Sequence, residues 1–110
     1  MSEYKKHLML SGSLIKNALL QLNELAQDAI IFIVDKDDKL IGSLTDGDIR
    51  RGFIKGLTMD SIIDSVINQY PKYIIKGENN IKKIIEFRED NYRIIPVLDK
   101  KHIVVNVIMV

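Results

Sequence analysis

The sequence of 110 residues contains no cysteine, no tryptophan and only two prolines. Without cysteine there is no disulfide framework, no thiolate metal site and no cysteine nucleophile. Sixteen basic and fifteen acidic residues leave a net charge of +1, which gives no support for nucleic acid or an anionic membrane as a partner. No apolar run approaches the roughly 20 residues that span a bilayer, and the amino terminus lacks the pattern of a signal peptide. We therefore expect a soluble, cytoplasmic protein.

Catalytic and metal-binding patterns are also missing. The two histidines, His7 and His102, lie far apart in the sequence and have no second ligand at metal spacing. No combination of serine, histidine and acid indicates nucleophilic catalysis. No basic stripe with interleaved aromatics indicates single-stranded nucleic acid. The sequence therefore predicts no metal, no nucleic-acid partner and no catalytic residues.

Apolar residues make up 46% of the chain, as in a globular protein, and their spacing indicates a series of short elements. Apolar positions three and four residues apart predict an amphipathic helix over residues 14–25, capped by Ser11 or Ser13. A continuous apolar, largely β-branched run at residues 29–34 predicts a buried strand. It forms a hairpin with a second strand at residues 40–44.

Two further helices are predicted before the chain reaches its second half. One begins at Asp46 and ends near Gly56, a favourable C-terminal cap. Its apolar residues fall on one side and are Ile49, Phe53 and Ile54. The other is a short helix within residues 57–69, whose apolar stripe consists of Ile62, Ile63, Val66 and Ile67.

The order of elements then repeats. The second half is predicted to hold a strand at 73–75, a helix at 81–88, and strands at 94–98 and 103–110. Ile33-Val34-Asp35 matches Val97-Leu98-Asp99 at an offset of 64 residues. Because neither copy is long enough to bury a good core alone, the two should pack together. We predict an α/β (α+β) fold of two tandem β-α-β-β-α repeats: residues 1–57, a connecting helix or linker at 58–69, and residues 70–110, truncated before a final helix.

The most informative motif is GSLTDGDIRR at residues 42–51, where a strand ends at the start of a helix. Free backbone N–H groups at a helix start favour anions, and carboxylates accept hydrogen bonds from sugar hydroxyls. That combination suits a ribose-phosphate. The alternative is structural, because Thr45-x-x-Asp48 is also a variant of the capping box.

The repeat containing Gly42-x-x-Thr45-x-x-Asp48 resembles the cystathionine-β-synthase (CBS) domain pair, or Bateman module, and the resemblance covers essentially the whole chain. Residues 40–57 are similar to the CBS pairs fused in front of sugar-phosphate nucleotidyltransferases of surface-polysaccharide synthesis. Two later stretches fit as well, residues 64–71 and Arg93-Ile94-Ile95-Pro96-Val97.

The resemblance implies a site for an adenine nucleotide. Thr45 and Asp48 would hold the ribose hydroxyls, and Gly42 would let the backbone approach the ligand. The adenine would lie against Lys72 and Tyr73. The resemblance further implies that Arg93 and Ile94 line the wall of the nucleotide cleft. Arg50 and Arg51 are the implied phosphate contacts. AMP, ADP or ATP is the implied ligand, in preference to S-adenosylmethionine, with no metal.

The second copy departs from the motif. Aligned on Asp35 and Asp99, Gly42 becomes Asn106 and Thr45 becomes Met109. Methionine offers no useful hydrogen bond to a ribose hydroxyl. We therefore expect one nucleotide per chain.

The resemblance implies a non-catalytic regulatory module that controls an enzyme, either as a domain following Val110 or as a separate partner. A sugar-phosphate nucleotidyltransferase is the enzyme that it suggests. The alternative is a ligand-free association module, with a homodimer formed through the helices at residues 46–55 and 82–88. In that case Thr45 and Asp48 only cap a helix.

Overall fold

Two similar runs of strands and helices follow each other along residues 3–110, the part of the chain that the computed structural model describes. The first run comprises β1 (Leu8–Leu10), α1 (Ile15–Leu25), β2 (Ile31–Val34), β3 (Leu40–Leu44) and α2 (Asp46–Ile54). The second comprises β4 (Ile74–Ile75), α3 (Ile81–Glu89), β5 (Ile94–Leu98) and β6 (Val104–Met109). Short 3-10 turns occur at Glu3–His7, Ala26–Asp28 and Ile63–Ser65. The predicted α/β fold of tandem repeats is confirmed.

The two sheets have the same topology and nearly the same register. Their strand orders are β1-β2-β3 and β4-β5-β6, with the first pair parallel and the second antiparallel in each. Ile33 pairs with Gly42 in one sheet, and Val97 pairs with Asn106 in the other. The register shifts directly after Ile33 and directly after Val97. The offset of 64 read from the sequence therefore describes real structural equivalence.

The turn of each hairpin is built by an aspartate. The side chain of Asp35 accepts hydrogen bonds from the backbone N–H groups two and four residues later, at 2.8 and 3.0 Å. Asp99 does the same at the same distances. A short acid that bonds its own following backbone favours a tight turn, which explains the aspartate at both positions.

The two hairpins also bond to each other. The N–H of Leu40 donates to the carbonyl of His102 at 3.1 Å, and the N–H of Val104 donates to the carbonyl of Asp38 at 3.0 Å. These two bonds are equivalent under the 64-residue offset. The repeats are thus related by an approximate two-fold axis that passes between the hairpins.

Three apolar clusters form the core. The first lies within the first repeat and contains Ile15, Ala18, Leu22, Leu25, Ile31, Ile33, Leu44, Ile49 and Ile63. The second joins the two sheets and contains Val34, Ile75, Leu98 and Val104. The third lies within the second repeat and contains Ile74, Phe87, Ile95 and Val97. Because the middle cluster draws on both repeats, they share a core.

The inter-repeat segment, residues 58–69, is not the short helix that its apolar stripe predicted. Ile62 is extended and pairs with Leu14, Ile63 to Ser65 form a single 3-10 turn, and Asn68 pairs with Ser43. The prediction was wrong because Ile63, Val66 and Ile67 pack against the first repeat, with Ile63 fully buried, whereas Ile62 is 48% exposed. Its backbone groups bond to that repeat instead of to a helix of their own.

The same segment explains the start of α1. Neither Ser11 nor Ser13 caps the helix, contrary to prediction, since the N-cap is Leu14 and makes no side-chain bond. The first helical N–H groups instead donate to carbonyls of the inter-repeat segment, at 2.9 and 3.0 Å. Unpaired N–H groups at a helix start can be satisfied by any acceptor, and here that acceptor comes from distant sequence.

The apolar side of α2 also differs from the prediction. Ile49 is buried as expected, but Phe53 is 38% and Ile54 is 79% exposed. Gly52 takes the buried position instead. The helix ends as predicted, with Gly56 at a φ of 101° just after the C-cap Lys55.

Candidate functional site

Thr45 and Asp48 form a complete capping box at the start of α2. The Asp48 N–H donates to Oγ1 of Thr45 at 3.4 Å, and the Thr45 N–H donates to Oδ2 of Asp48 at 2.9 Å. The Thr45 hydroxyl also donates to Oδ2 of Asp48, at 3.0 Å. The predicted capping geometry is confirmed. It fixes the two side chains that the resemblance assigns to a ribose.

Arg51 holds the other oxygen of the Asp48 carboxylate. Its Nη2 donates to Oδ1 at 2.7 Å, and the two side chains are 65% and 17% exposed. The three-residue spacing puts both on one side of α2. A mostly covered carboxylate in the first turn of α2 therefore lies beside the exposed guanidinium of a residue in the last turn.

A cavity of about 200 Å³, here called the α2 cavity, opens beside this pair. It is lined by Asp48, Arg51, Gly52, Lys55, Leu57, Ser65, Val66 and Ile67. One wall is a side of α2 and the other is the inter-repeat segment. These walls approach so closely that a Cβ on Gly52 would lie 2.4 Å from Cγ1 of Val66.

A second cavity, here called the hairpin cavity, lies between the two repeats. Its volume is about 320 Å³, and it is lined by Leu40, Ile41, Gln69, Tyr70, Pro71, Lys72, Tyr73 and His102. The rings of Tyr73 and His102 meet edge to face at 5.4 Å. This cavity holds two predicted site residues, Lys72 and Tyr73. The α2 cavity holds two others, Asp48 and Arg51.

A sequence relative of this chain is known from Helicobacter pylori. No family model matches the sequence. An uncharacterized protein of Helicobacter pylori is 31% identical over 74 residues, which are 67% of this chain and 22% of that protein. The match therefore spans about a fifth of that relative's length.

Three solved structures superpose on nearly the whole chain. A CBS domain pair/ACT domain protein of Thermotoga maritima has a TM-score of 0.79 at 12% identity, covering 100% of this chain and 84% of its own. The CbpB protein of Listeria monocytogenes in complex with c-di-AMP has 0.78 at 22%, covering 99% and 84%. A CBS domain protein of Pyrobaculum aerophilum complexed with AMP has 0.73 at 16%, covering 93% and 78%.

The chain has the fold of a tandem CBS domain pair. Within this fold the remaining predicted site residues are dispersed. Gly42 contacts the inter-repeat segment, where a Cβ would lie 2.8 Å from the Asn68 carbonyl oxygen. Arg50 and Arg93 are exposed, and the Arg93 carbonyl accepts a bond from the N–H of Val110 at 2.8 Å. The structure brings neither arginine into the α2 cavity or the hairpin cavity, as far as residues 3–110 define them.

Ile94 lies in the second repeat, beside the degenerate copy of the motif. It is buried and lines a smaller cavity of about 170 Å³ together with Met109, which occupies the place equivalent to Thr45. Asn106, the counterpart of Gly42, bonds its own neighbour, with its Oδ1 accepting from the Val107 N–H at 2.9 Å. The second repeat therefore has an apolar side chain in place of the Thr45 hydroxyl and an amide side chain in place of the Gly42 hydrogen.

Sequence reasoning missed Lys55 and Ser65 as members of the α2 cavity. Lys55 follows Arg51 by four residues, a spacing that places both on one helix side, so a sequence signal was available. Ser65 had no such signal, because its position depends on the fold of the inter-repeat segment. Sequence reasoning also left out His102, which lines the hairpin cavity with Lys72 and Tyr73 and contacts the Tyr73 ring.

No helix within residues 3–110 is long and apolar enough to cross a membrane. Over the same range, no three side chains of the histidine, cysteine or acid types gather closely enough to hold a metal ion.

Proposed function

We propose that this CBS pair is a regulatory module that binds one adenine nucleotide between its repeats and controls an enzyme. The observation that carries the proposal is the Thr45–Asp48 pair, fixed by reciprocal hydrogen bonds at the start of α2. Two structures of the same fold were solved with AMP and with c-di-AMP, which supports an adenine-containing ligand.

Asp48 has the capacity for a further donor. An ionised carboxylate accepts about four hydrogen bonds, and this one receives two on Oδ2 and one on Oδ1. A ribose hydroxyl bonded to Oδ1 would complete the set. Such a bond is charge-assisted and correspondingly strong, and the capping box already holds the acceptor in place.

The phosphate and the base have separate partners. Arg51 uses one guanidinium N–H on Asp48 and has no other carboxylate partner within residues 3–110, so its other donors could bind a phosphate. Arg50 and Arg93 are the additional cations for this role. The base would face Lys72 and Tyr73 in the hairpin cavity, where an aromatic ring suits an adenine.

One nucleotide would bind per chain, because Met109 replaces Thr45 in the second copy. Nucleotide binding would control an enzyme, which is either attached to this module or a separate partner. The family resemblance suggests a sugar-phosphate nucleotidyltransferase, and the Helicobacter pylori relative has most of its length outside the matched segment. The module itself would carry no catalytic residues.

Isothermal titration with AMP, ADP, ATP and S-adenosylmethionine tests the binding proposal. We expect saturable heat with at least one of the first three and a stoichiometry near one. GMP serves as the control for the base. Absence of heat with every nucleotide at millimolar concentration would refute the proposal.

A second candidate function is ligand-free association. Large apolar side chains are exposed on two helices: Phe53 and Ile54 on α2, and Ile81 and Ile85 on α3. Such exposure favours contact with another protein surface, and a homodimer through these helices would cover it. Sedimentation equilibrium separates this candidate from the first. A dimer that binds no nucleotide would support association alone, whereas a nucleotide-binding monomer would exclude it.

A further inference from the structure

The outer edge of the first sheet is covered by a side chain instead of a strand. Within residues 3–110, β1 pairs with β2 on one side and with no strand on the other. The Nε2 group of Gln21 donates to the carbonyls of Lys6 and Leu8, both at 2.8 Å. Only the nitrogen of the amide can donate to two carbonyls, so these contacts fix its orientation. Gln21 thus takes two of the acceptors that a further strand would use.

The direction of the backbone groups along β1 follows from its pairing with β2. The N–H of Ser11 donates to the carbonyl of Val34 in β2, at 2.9 Å. Because alternate residues of a strand direct their backbone groups to opposite sides, Leu8 and Leu10 direct theirs away from β2. The Leu10 carbonyl accepts from the Ser13 hydroxyl at 2.7 Å. Both outward carbonyls of β1 are therefore bonded to side chains of α1 or of the loop before it.

The second repeat covers its own edge strand in the same way. The Nδ2 group of Asn80 donates to the carbonyl of Ile75 at 2.9 Å and to a second carbonyl at 3.0 Å. Ile75 is equivalent to Leu10, since the two pair with Leu98 and Val34, which are equivalent under the 64-residue offset. A side-chain amide at both edges, from a different residue type in each repeat, indicates that the edges are kept from pairing.

We propose that the β1 edge is a surface for pairing with β1 of a second copy of this chain, and that Gln21 keeps it closed. The edge is self-complementary, because in an antiparallel pair centred on Met9, Leu8 of one copy lies opposite Leu10 of the other. The outward residues then exchange about four hydrogen bonds across a two-fold axis. The Leu10 side chain, 55% exposed in the single chain, would pack against Leu8 of the second copy.

The space beside this edge is open. A cavity of about 550 Å³, here called the edge cavity, lies between β1 and α1. Leu8, Gln21, Asn17 and the 65% exposed Leu20 belong to its lining. If the Gln21 amide swings aside, the carbonyls of β1 become accessible from this cavity. The surface is separate from the α2 cavity and the hairpin cavity, and from the exposed apolar residues of α2 and α3. The inference is therefore independent of the proposed nucleotide site.

Sedimentation velocity of the full chain and of Gln21→Leu over a range of concentrations tests the proposal. Leucine cannot donate to the two carbonyls but suits a helix as well as glutamine does. We expect the mean mass of Gln21→Leu to rise with concentration to roughly twice that of the parent or more. Gln21→Met, which keeps the unbranched side chain and lacks the donor, repeats the test if Gln21→Leu is unstable.

Asn17→Leu is the matched control, since Asn17 is an exposed amide one turn earlier on the same side of α1 and lines the same cavity. It adds the same apolar side chain but leaves the two Gln21 bonds in place, so it should keep the parent mass. Leu10→Pro in the Gln21→Leu background removes an outward N–H and no bond to β2. This double variant should return to the parent mass. Melting temperatures establish that each variant folds.

Hydrogen exchange gives a readout that association through apolar surface alone would not change. The amide protons of Leu8 and Leu10 should gain protection in Gln21→Leu, and only at high concentration. An unchanged mass for folded Gln21→Leu over the whole range would overturn the proposal. So would association that persists in the double variant, or equal association of Gln21→Leu and Asn17→Leu without protection of these two amides. Each of these outcomes leaves the nucleotide proposal as it stands.

Discussion

Arg51 donates a hydrogen bond to Asp48 at 2.7 Å, one turn further along α2. The carboxylate that we propose binds a sugar is therefore already paired with the guanidinium that we propose binds a phosphate. Because Thr45 occupies the other carboxylate oxygen, the proposed ligand would bind to this assembled group and not to a free acid. The cap and the proposed site are thus one structure.

Asp48→Asn tests whether the capping box also binds a nucleotide. The substitution removes the charge that strengthens both the cap and the proposed ribose bond. We expect nucleotide affinity to fall by roughly 10- to 150-fold, the equivalent of about 1.5–3 kcal/mol. We expect the free energy of unfolding to fall by about 1 kcal/mol. Titration and chemical denaturation on the same variant measure the two effects.

Asp46→Asn is the matched control for this change. Asp46 is an exposed acid in the same first turn of α2. Its replacement by asparagine therefore changes the net charge by the same amount as Asp48→Asn and also removes an acid that interacts with the helix dipole. Affinity should change by less than twofold or threefold, the scale of an exposed charge. If Asp48→Asn weakens stability but leaves affinity at the level of this control, the motif is only a cap.

Gly52 is expected to be the most sensitive glycine of α2. A Cβ there would lie 2.4 Å from Cγ1 of Val66 and 3.3 Å from Cδ1 of Leu57, so Gly52→Ala must push the inter-repeat segment away from the helix. Overpacking of this kind costs about 1–3 kcal/mol, which outweighs the gain of up to about 1 kcal/mol that alanine has over glycine in a helix. Denaturant titration of the variant gives the loss of unfolding free energy.

Gly47→Ala is its control within the same helix. There the nearest atom to a new Cβ is Nη1 of Arg51 at 3.4 Å, which belongs to the end of a flexible side chain. Alanine gains up to about 1 kcal/mol over glycine in a helix, so this variant should be as stable as the parent or more stable. If both variants lose the same stability, helix packing against Val66 is not the cause.

The local chemistry of the site could be predicted from the sequence, because it depends on neighbouring residues. The capping box of Thr45 and Asp48 is confirmed in both directions, and the bounds of β3 and β5 match the apolar runs at 40–44 and 94–98. Each of these features is set by residues at most five positions apart.

What could not be predicted depends on the inter-repeat segment. Its apolar spacing is compatible with a helix, but its backbone bonds to Ser43 and to the start of α1, which lie far away in sequence. That placement brings Ser65 opposite Lys55 and makes Gly42 a packing residue. It also leaves Ser11 without a helix to cap. Long-range contacts override local propensity in this segment.

Gly42→Ala separates packing from ligand approach at a residue that the motif assigned to the nucleotide. A Cβ at this position would lie 2.8 Å from the Asn68 carbonyl oxygen. That oxygen also accepts the Ser43 N–H at 3.0 Å, so it has little freedom to move. We expect a loss of about 1–3 kcal/mol in unfolding free energy. The affinity of the folded fraction for nucleotide should stay within a few-fold of the parent.

Titration at a temperature well below the melting point of Gly42→Ala gives that affinity. Gly47→Ala again provides the comparison for a glycine change that packing tolerates. A large loss of affinity with no loss of stability would show that Gly42 serves the ligand and not the inter-repeat segment.

Asp64 is expected to make folding stability depend on acid pH. Burial raises its pKa, but hydrogen bonds from the Ser11 hydroxyl at 2.5 Å and the Gly12 N–H at 2.8 Å outweigh this, so that the pKa lies below its usual value of 3.8. A carboxyl whose pKa is lower in the folded state stabilises the fold above its unfolded pKa. That stabilisation is lost as the pH falls through the lower, folded value. The parent should therefore lose stability below about pH 4 more steeply than Asp64→Asn.

Melting temperatures between pH 6 and pH 3 measure this difference, with Asp60→Asn as the control. Asp60 is 81% exposed and reaches Lys16 only at 3.9 Å, so its removal should leave the slope of the parent nearly unchanged. Asp64 also attaches the loop before α1 to the inter-repeat segment through its bonds with Ser11 and Gly12. Asp64→Asn should therefore be less stable than the parent at pH 6 and converge with it toward pH 3. Parallel curves for the parent and both variants would mean that the two hydrogen bonds do not favour the charged form.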